Sequence, residues 1–161
     1  MARYTVIIGR SEPADIVGVA LAVPVKVDTG AYRSSIHASE IKLIKDENGD
    51  KVLSFNILGH PCSPIKRAMR VNEFDTVTVR SSNGQEQDRY EVKLKIKLGN
   101  KIFTTSFSLA DRSYNMFPVL IGRKTMKGRY LVDVDVSNVN KQQMVKDFGV
   151  NSPRDEEDSE D

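Results

Sequence analysis

The sequence predicts a mainly β domain, folded as a small barrel or a sandwich, and three observations support this prediction. Short β-branched and apolar runs recur at intervals of about 8–12 residues along the chain. Turn signals such as Asn48-Gly49 and Asn83-Gly84 separate several of these runs, because Asn and Gly tolerate positive φ angles. Helix signals are few, and no segment has the βαβ pattern of a doubly wound nucleotide-binding fold.

The predicted elements follow one another along the chain with short turns between them. The strands are expected at 4–8, 22–27, 40–45, 51–57, 74–80, 90–98, 102–109, 116–121 and 130–136. Residues 90–98 alternate apolar and charged side chains strictly, which predicts one buried and one solvent-exposed face. Residues 116–121 are apolar apart from Pro118, as expected of a strand buried on both faces. Residues 122–128 predict one helical turn, and residues 140–148 predict a short helix capped by Asn140.

The length and the distribution of charge predict one domain followed by a tail. The chain has 161 residues, which suffices for a single core, and we expect the domain to occupy residues 1–150. These residues carry 23 basic and 16 acidic side chains, a net charge of +7. Residues 151–161 carry six acidic side chains and one arginine, a net charge of −5, without an apolar anchor, which predicts disorder. A basic domain attracts acidic partners, although a merely solvated surface explains the charge as well.

Several classes of protein are excluded by what the sequence lacks. No apolar run approaches the roughly 18 residues of a spanning helix, and the first apolar stretch is too short for a signal peptide. The single cysteine, Cys62, excludes an internal disulfide and a multi-cysteine zinc site. We therefore expect a cytoplasmic protein. The lysines along 93–101 lack the interleaved aromatic side chains on which bases stack, so nucleic acid is not the expected partner.

Two of the predicted strands end in polar segments that suit catalysis or binding. Residues 22–27 lead into Asp28-Thr29-Gly30, where a carboxylate projects from a strand end, a hydroxyl can fix the loop and glycine permits a tight turn. Much later, residues 118–121 lead into Gly122-Arg123 and a possible helical turn. Each segment alone also fits an ordinary turn or a buried strand before a helix.

Together the two segments resemble the signature segments of retropepsin-like aspartic proteases. In that family a strand leading into Asp-Thr-Gly-Ala carries the catalytic acid, and a later apolar strand leading into Gly-Arg braces the acid's loop. The resemblance extends to a bacterial and archaeal branch that is found beside RimK-type ATP-grasp ligases and is often labelled ATP-dependent zinc protease. The segments that carry it occur in order, at residues 9–12, 25–31, 34–38, 111–113, 118–123 and 128–133.

The resemblance implies a small closed or partly open barrel with one or two short helices, and an aspartic endopeptidase-like activity. The catalytic residue is then Asp28. Because the chain has one Asp-Thr-Gly and no second Asp-Thr-Gly or Asp-Ser-Gly, the site requires a homodimer that joins two copies of Asp28 across a two-fold axis. The expected supports of the active-site loop are Thr29, Gly30 and Ala31. The expected braces are Asp111, Arg112, Gly122 and Arg123.

The resemblance also suggests a substrate and a partner. RimK-type ligases add glutamate, and a domain of net charge +7 suits an acidic peptide, so we expect an acidic peptide or protein substrate and a ligase as a partner. The alternative is a non-catalytic binding module for such a peptide or ligase, because the Gly-rich flap of retropepsins is missing. The hairpin around Asn48-Gly49 and residues 59–64 are the candidate coverings of the site.

Neither a metal nor another cofactor is expected. The two histidines, His37 and His60, do not form His-Glu-x-x-His. His37 and Glu40 would share one face of a helix, but two ligands do not make a zinc site. We therefore expect His37 to be structural and His60 to pair with Cys62 in a loop. The chain has no Gly-rich ATP loop, so any ATP dependence would come from the partner ligase.

Overall fold

The computed structural model describes residues 6–80 and 83–149, in which the chain forms ten strands and two short helices. The first five strands are β1 (Val6–Ile16), β2 (Ala20–Val27), β3 (Ser34–Lys45), β4 (Lys51–His60) and β5 (Ser63–Val71). The next four strands are β6 (Asp75–Arg80), β7 (Glu86–Leu98), β8 (Lys101–Ala110) and β9 (Val119–Ile121). The remaining elements are α1 (Arg123–Met126), β10 (Tyr130–Ser137) and α2 (Lys141–Phe148). The predicted acidic tail lies outside the described residues.

The strands form one strongly curved sheet. Its order is β10-β1-β2-β9-β3-β8-β7-β6, and β4 and β5 extend from β3 as further antiparallel strands. β1 also pairs with β7 through Asp15 opposite Lys97 and Ile16 opposite Ile96. Hydrogen bonding therefore runs in a ring through β1, β2, β9, β3, β8 and β7. The predicted mainly β fold is confirmed, and the ring-like hydrogen bonding agrees with the expected retropepsin-like architecture.

The hydrophobic core is built from side chains of β1 to β4 and β7 to β10. The alternation predicted for residues 90–98 is confirmed from Val92 to Leu98, where the apolar side chains are buried and the lysines exposed. Glu91 departs from the pattern: it lies on the lysine side of β7, yet its side chain is only 6% exposed.

Both predicted helices are present. The Asn140 side chain accepts a hydrogen bond from the Gln143 amide at 3.0 Å, so the predicted cap of α2 is confirmed. On the inner face of α2, Met144 packs against Met116 and Phe117 in a small second cluster. In the parts of the chain that the structure describes, no helix has the length and apolar character needed to cross a membrane.

Several strands differ from the predicted bounds: β3 begins at Ser34 and β7 at Glu86, earlier than expected, and three further differences have a physical reason. β1 continues past Gly9 to Ile16 through a bulge, and a Cβ on Gly9 would lie 2.3 Å from the carbonyl oxygen of Val136, so glycine is required there. β9 contains only Val119–Ile121, although residues 116–118 are buried as expected. β5 was not predicted, because most of its side chains are exposed and its charges mask any alternation.

We expect Ile57→Ala to lower the free energy of unfolding by about 2–5 kcal/mol, because it opens a cavity beneath β4. The matched control is Ile65→Ala on β5: Ile57 is fully buried, whereas Ile65 is 53% exposed. The control should cost less than about 0.5 kcal/mol, since little apolar surface is lost from the core. Urea unfolding followed by circular dichroism measures both values, and equal losses would contradict this assignment of the core.

Candidate active site

The two signature segments meet because the strands that lead into them are parallel neighbours. β2 pairs with β9, with Val25 opposite Val119 and Val27 opposite Ile121. The Asp28 amide continues this ladder by donating to the carbonyl oxygen of Ile121 at 2.9 Å. Parallel strands end at the same edge of a sheet, so the segments that follow β2 and β9 emerge side by side.

The Asp28 loop is held by its own backbone. The Gly30 amide donates to Oδ1 of Asp28 at 2.9 Å, and the Ala31 amide donates to the Asp28 carbonyl oxygen at 3.3 Å. Asp28 is half-buried, whereas Thr29 and Gly30 are exposed. The loop therefore fixes one carboxylate oxygen at the rim of the sheet and leaves the residues beside it open to a partner or a substrate.

The second segment binds the first through hydrogen bonds to main-chain carbonyls. The amides of Arg123 and Lys124 donate to the carbonyl oxygens of Ala31 and Tyr32 at 2.8 and 2.9 Å. The Arg123 guanidinium adds a hydrogen bond from Nη1 to the Thr29 carbonyl oxygen at 3.0 Å. The backbone and side chain of Arg123 thus contact both ends of the segment that follows Asp28.

Gly122 is the point of closest approach between the two segments. A Cβ on this residue would lie 2.6 Å from the carbonyl oxygen of Arg33 and 2.7 Å from that of Tyr32. Any side chain would push these backbones apart. The Gly122 amide donates to Oγ of Ser34 at 3.0 Å, which fixes the approach from the other direction.

A chain of buried hydroxyls lies behind this contact. Oγ of Ser34 is 2.6 Å from Oγ1 of Thr125, which in turn is 2.9 Å from Oγ1 of Thr105. Ser34 and Thr125 are each 1% exposed. These hydrogen bonds join β3, α1 and β8 without burying a charge, so the base of the site avoids the desolvation cost of an ion pair.

Glu91 connects β7 to both signature segments. Its carboxylate lies 2.7 Å from Nη1 of Arg33, which follows the Asp28 loop, and 3.8 Å from Nζ of Lys124, which lies in α1. These cations explain the burial of a side chain on the charged side of its strand. Sequence reasoning missed Glu91, because in a strictly alternating segment it occupies an exposed position.

A cavity of about 420 Å³ adjoins the Asp28 loop. Gly30 and Ala31 line one side of it, and Val79, Arg80 and Arg89 of the β6–β7 hairpin line another. Of the candidate coverings predicted from the sequence, residues 59–64 contribute Gly59 to a second cavity, of about 720 Å³, and residues 46–50 line neither cavity. The hairpin that does flank the loop has the same Asn-Gly signal, at residues 83–84.

Comparison with known proteins identifies the family. A family model described as RimB-like, retropepsin-like aspartic endopeptidase RimB, matches residues 7–143. The chain belongs to the RimB-like family. This confirms the resemblance to retropepsin-like proteases and to the branch associated with RimK-type ligases.

Individual relatives agree with this assignment. A probable alpha-L-glutamate ligase of Shewanella pealeana is 33% identical over 115 residues, and one of Parasynechococcus marenigrum is 28% identical over 137 residues. These matches cover 70% and 83% of this chain but only 24% and 29% of the relatives, so the chain spans about a quarter of their length. A crystal structure of Lpg0085, a Legionella pneumophila protein of unknown function, matches with a TM-score of 0.67 and 27% identity. The match covers 84% of this chain and 98% of the Lpg0085 chain.

Of the remaining predicted braces, the structure brings Arg112 but not Asp111 to the cavity beside Gly30. Arg112 also donates from Nε to the Phe117 carbonyl oxygen at 2.8 Å. Asp111 is exposed and lines the larger cavity. Hydrogen bonds from the hydroxyl and the amide of Ser113 lower the pKa of the Asp111 carboxyl.

The two histidines bind the backbone of the segment that follows β8. Nδ1 of His37 accepts a hydrogen bond from the Arg112 amide at 2.9 Å. Nδ1 of His60 accepts from the Cys62 amide at 3.0 Å, so Nε2 is the donor to the carbonyl oxygens of Asn115 at 2.7 Å and Arg112 at 3.1 Å. Burial lowers the pKa of both imidazoles. The predicted pairing of His60 with Cys62 is present as a hydrogen bond.

The described residues do not fit a zinc ion. His37 and Glu40 lie on strand β3 and line the same cavity of about 720 Å³, but two ligands do not make a zinc site. Within residues 6–80 and 83–149, no group of three or more His, Cys, Asp and Glu side chains could hold a metal. Burial raises the pKa of the Cys62 thiol to about 11, so it stays protonated at neutral pH.

We expect the free energy of unfolding to fall as the pH drops from about 7 to about 5, because two imidazoles have lowered pKa values in the folded state. The unfolded chain binds their protons near the ordinary value of about 6.5, while the folded chain binds them only at lower pH. Acid therefore favours the unfolded state. Urea unfolding across this range should show a weaker pH dependence in His37→Gln/His60→Gln, and NMR titration of the wild-type imidazoles gives the pKa values directly. Ordinary values near 6.5 would contradict the prediction.

We expect Thr125→Val to lower the free energy of unfolding by about 1–3 kcal/mol, because the buried hydroxyl of Ser34 and the half-buried hydroxyl of Thr105 lose a common partner. The matched control is Thr104→Val, an exposed position on the same strand as Thr105, which should change stability by less than about 0.5 kcal/mol. Thermal and urea unfolding measure both. A neutral Thr125→Val would show that the hydroxyl chain does not stabilise the site.

Proposed function

We propose that this chain is an aspartic peptidase in which Asp28 is the catalytic residue and a homodimer forms the complete site. The observation that supports the proposal most directly is the Asp28 loop, fixed between its own backbone and the Arg123 segment at the edge of a cavity. One chain supplies one such carboxylate. Two copies related by a two-fold axis would place two Asp28 side chains face to face.

The proposed chemistry needs both carboxylates and a water molecule. Two carboxylates in contact cannot both be ionised, so the pair shares one proton, as aspartic proteases illustrate. The ionised carboxylate accepts a proton from the water as the water oxygen bonds to the peptide carbonyl carbon. The protonated carboxyl donates to the carbonyl oxygen of the substrate. As the tetrahedral intermediate collapses, one of its hydroxyls returns a proton to the carboxylate that had donated one, the C–N bond breaks, and the amine leaves with the proton that the other carboxyl took from the water. The pair again holds one proton.

The neighbouring residues are proposed to position this acid. Thr29, Gly30 and Ala31 would support the active-site loop, in which the Gly30 amide already orients the Asp28 carboxylate. Gly122 and Arg123 would brace the loop through their contacts with its main chain. Asp111 and Arg112 would brace the segment after β8, where the backbone bonds to His37 and His60 are made.

The proposed substrate is an acidic peptide. Four arginines line the cavity beside Gly30, and its described lining contains neither Asp nor Glu. The relatives named as probable alpha-L-glutamate ligases point to glutamate as the acidic residue and to a ligase as a partner. One cysteine in the chain suits the reducing cytoplasm, where we place the reaction.

A non-catalytic module that binds the same peptide or a ligase is the second candidate. It is favoured by the cavity beside Gly30, whose four arginines are present in a single chain and can bind an acidic peptide without a second Asp28 carboxylate. A chain that remains a monomer at working concentration would offer one carboxylate and could not share a proton across an axis. Sedimentation velocity at increasing protein concentration distinguishes this state from the dimer.

We expect Asp28→Asn and Asp28→Ala to reduce the cleavage of an acidic peptide by at least about 100-fold, because the pair loses its proton acceptor. The matched control is Asp50→Asn, an exposed acid in the β3–β4 turn, which should cleave like the wild type. Mass spectrometry of the products measures cleavage. Equal cleavage by all variants would contradict the role of Asp28, and binding without cleavage by a monomer would favour the binding module.

A further inference from the structure

We propose that Arg89 forms a carboxylate-binding subsite beside the Asp28 loop and selects an acidic side chain of the peptide. This inference rests on the proposed function, because the same cavity is taken as the place where the peptide lies. Under this proposal, Arg89 determines the preference for an acidic side chain. The net positive charge of the domain alone would attract an acidic peptide to any part of the surface.

The arginines of the smaller cavity differ in their partners. Arg33 is paired with Glu91 at 2.7 Å, and Arg80 is paired with Glu86 at 2.7 Å. Arg112 donates from Nε to a main-chain carbonyl. The charges of Arg33 and Arg80 are thus already compensated by carboxylates of the protein, and a substrate would have to compete with those partners.

Arg89, unlike Arg33 and Arg80, has a neutral side-chain partner. Its Nε donates to Oε1 of Gln87 at 3.1 Å. Among the residues that the structure describes, no carboxylate lies within 4 Å of its guanidinium as an ion pair. The side chain is half-buried, and burial lowers the pKa of Arg89. A desolvated guanidinium without a carboxylate gains more from binding one than a hydrated surface arginine does, because bidentate charged hydrogen bonds replace weakly held water.

The position of Arg89 suits a peptide that runs away from Asp28. Arg89 lines both the cavity of about 420 Å³ and the cavity of about 720 Å³. Ser35 of β3 lines the smaller cavity and His37, two residues further along the same face, lines the larger one. The two cavities therefore succeed one another along β3, with Arg89 at their junction.

The lining of the larger cavity indicates which part of the groove does not accept an acidic side chain. Glu40, Asp88 and Asp111 line it, together with Lys66 and Arg89. Carboxylates in that cavity repel acidic side chains, whereas the described lining of the smaller cavity has arginines alone as its charged groups. The subsite for an acidic side chain is thus the part of the groove between the Asp28 loop and Arg89.

The test compares a short fluorescein-labelled peptide of alternating Glu and Ala with its counterpart of alternating Gln and Ala. Binding is measured by fluorescence anisotropy in the Asp28→Asn background, where cleavage does not interfere, and cleavage is measured in the Asp28 protein. We expect Arg89→Gln to weaken binding of the Glu peptide about tenfold, the loss expected for one charged hydrogen-bonded pair, and to leave the Gln peptide unchanged. Arg89→Lys should retain part of the preference, since it keeps the charge and loses the bidentate geometry.

The control is Arg70→Gln, which removes the same charge from an exposed position on β5 that lines neither cavity. It should change binding of either peptide by less than about twofold, because an exposed charge at a distance is screened. Circular dichroism and melting temperature show whether each variant is folded, and Arg89→Lys tests the subsite should Arg89→Gln unfold.

Each outcome separates this inference from the proposed function. If the Arg89 variants prefer the Glu peptide as strongly as the protein with Arg89 does, the subsite is overturned. This holds even if the Asp28 protein cleaves the peptide. The same holds if neither peptide binds, or if both peptides lose affinity equally. Binding that depends on Arg89 in a protein that cleaves nothing supports the subsite and contradicts the peptidase.

Discussion

The parallel pairing of β2 with β9 is the constraint on which the rest of the site depends. It carries the Asp28 loop and the Gly122-Arg123 segment to the same edge of the sheet, where main-chain hydrogen bonds join them. The glycine at 122 allows the two backbones to approach, and the buried hydroxyls behind it hold α1 against β3. Since these contacts are mostly between backbone groups, the geometry of Asp28 depends on the fold of the sheet more than on any single side chain.

Sequence reasoning predicted the elements whose signals are local and missed those that depend on distant partners. The Asn-Gly turn of residues 48–49, the alternation from Val92 to Leu98 and the cap at Asn140 each follow from a few neighbouring residues, and the structure has them. β5 has no such local signal. It is held by its backbone pairing with β4, and most of its side chains are exposed, so its sequence does not alternate between apolar and polar residues. The start of β3 at Ser34, six residues before the predicted strand, depends on its pairing with β8 and β9, which a local pattern does not reveal.

Charge is distributed around the site according to burial. The base of the site is held by neutral hydroxyls and backbone groups, which need no counter-ion. Glu91 is a deeply buried carboxylate at this site. It lies between Arg33 and Lys124, and these two cations offset the cost of removing its charge from water. The guanidinium groups that line the smaller cavity range from half-buried, as in Arg89, to exposed, as in Arg80. This arrangement keeps the loop geometry insensitive to salt while leaving the cavity electrostatically attractive, because exposed charges are screened and buried hydrogen bonds are not.

The position of Glu91 at the foot of the β6–β7 hairpin has a consequence for how such proteins diversify. The ion pairs that tie the hairpin to both signature segments are made at Glu91, while the cavity-facing residues of the hairpin lie further from them along the strands. Substitutions at Thr78, Val79 and Arg80, which line the smaller cavity, therefore leave the ion pairs of Glu91 that anchor the hairpin beside the Asp28 loop unchanged. The lining of the smaller cavity can thus change while the ion pairs of Glu91 and the contacts of the Asp28 loop stay the same.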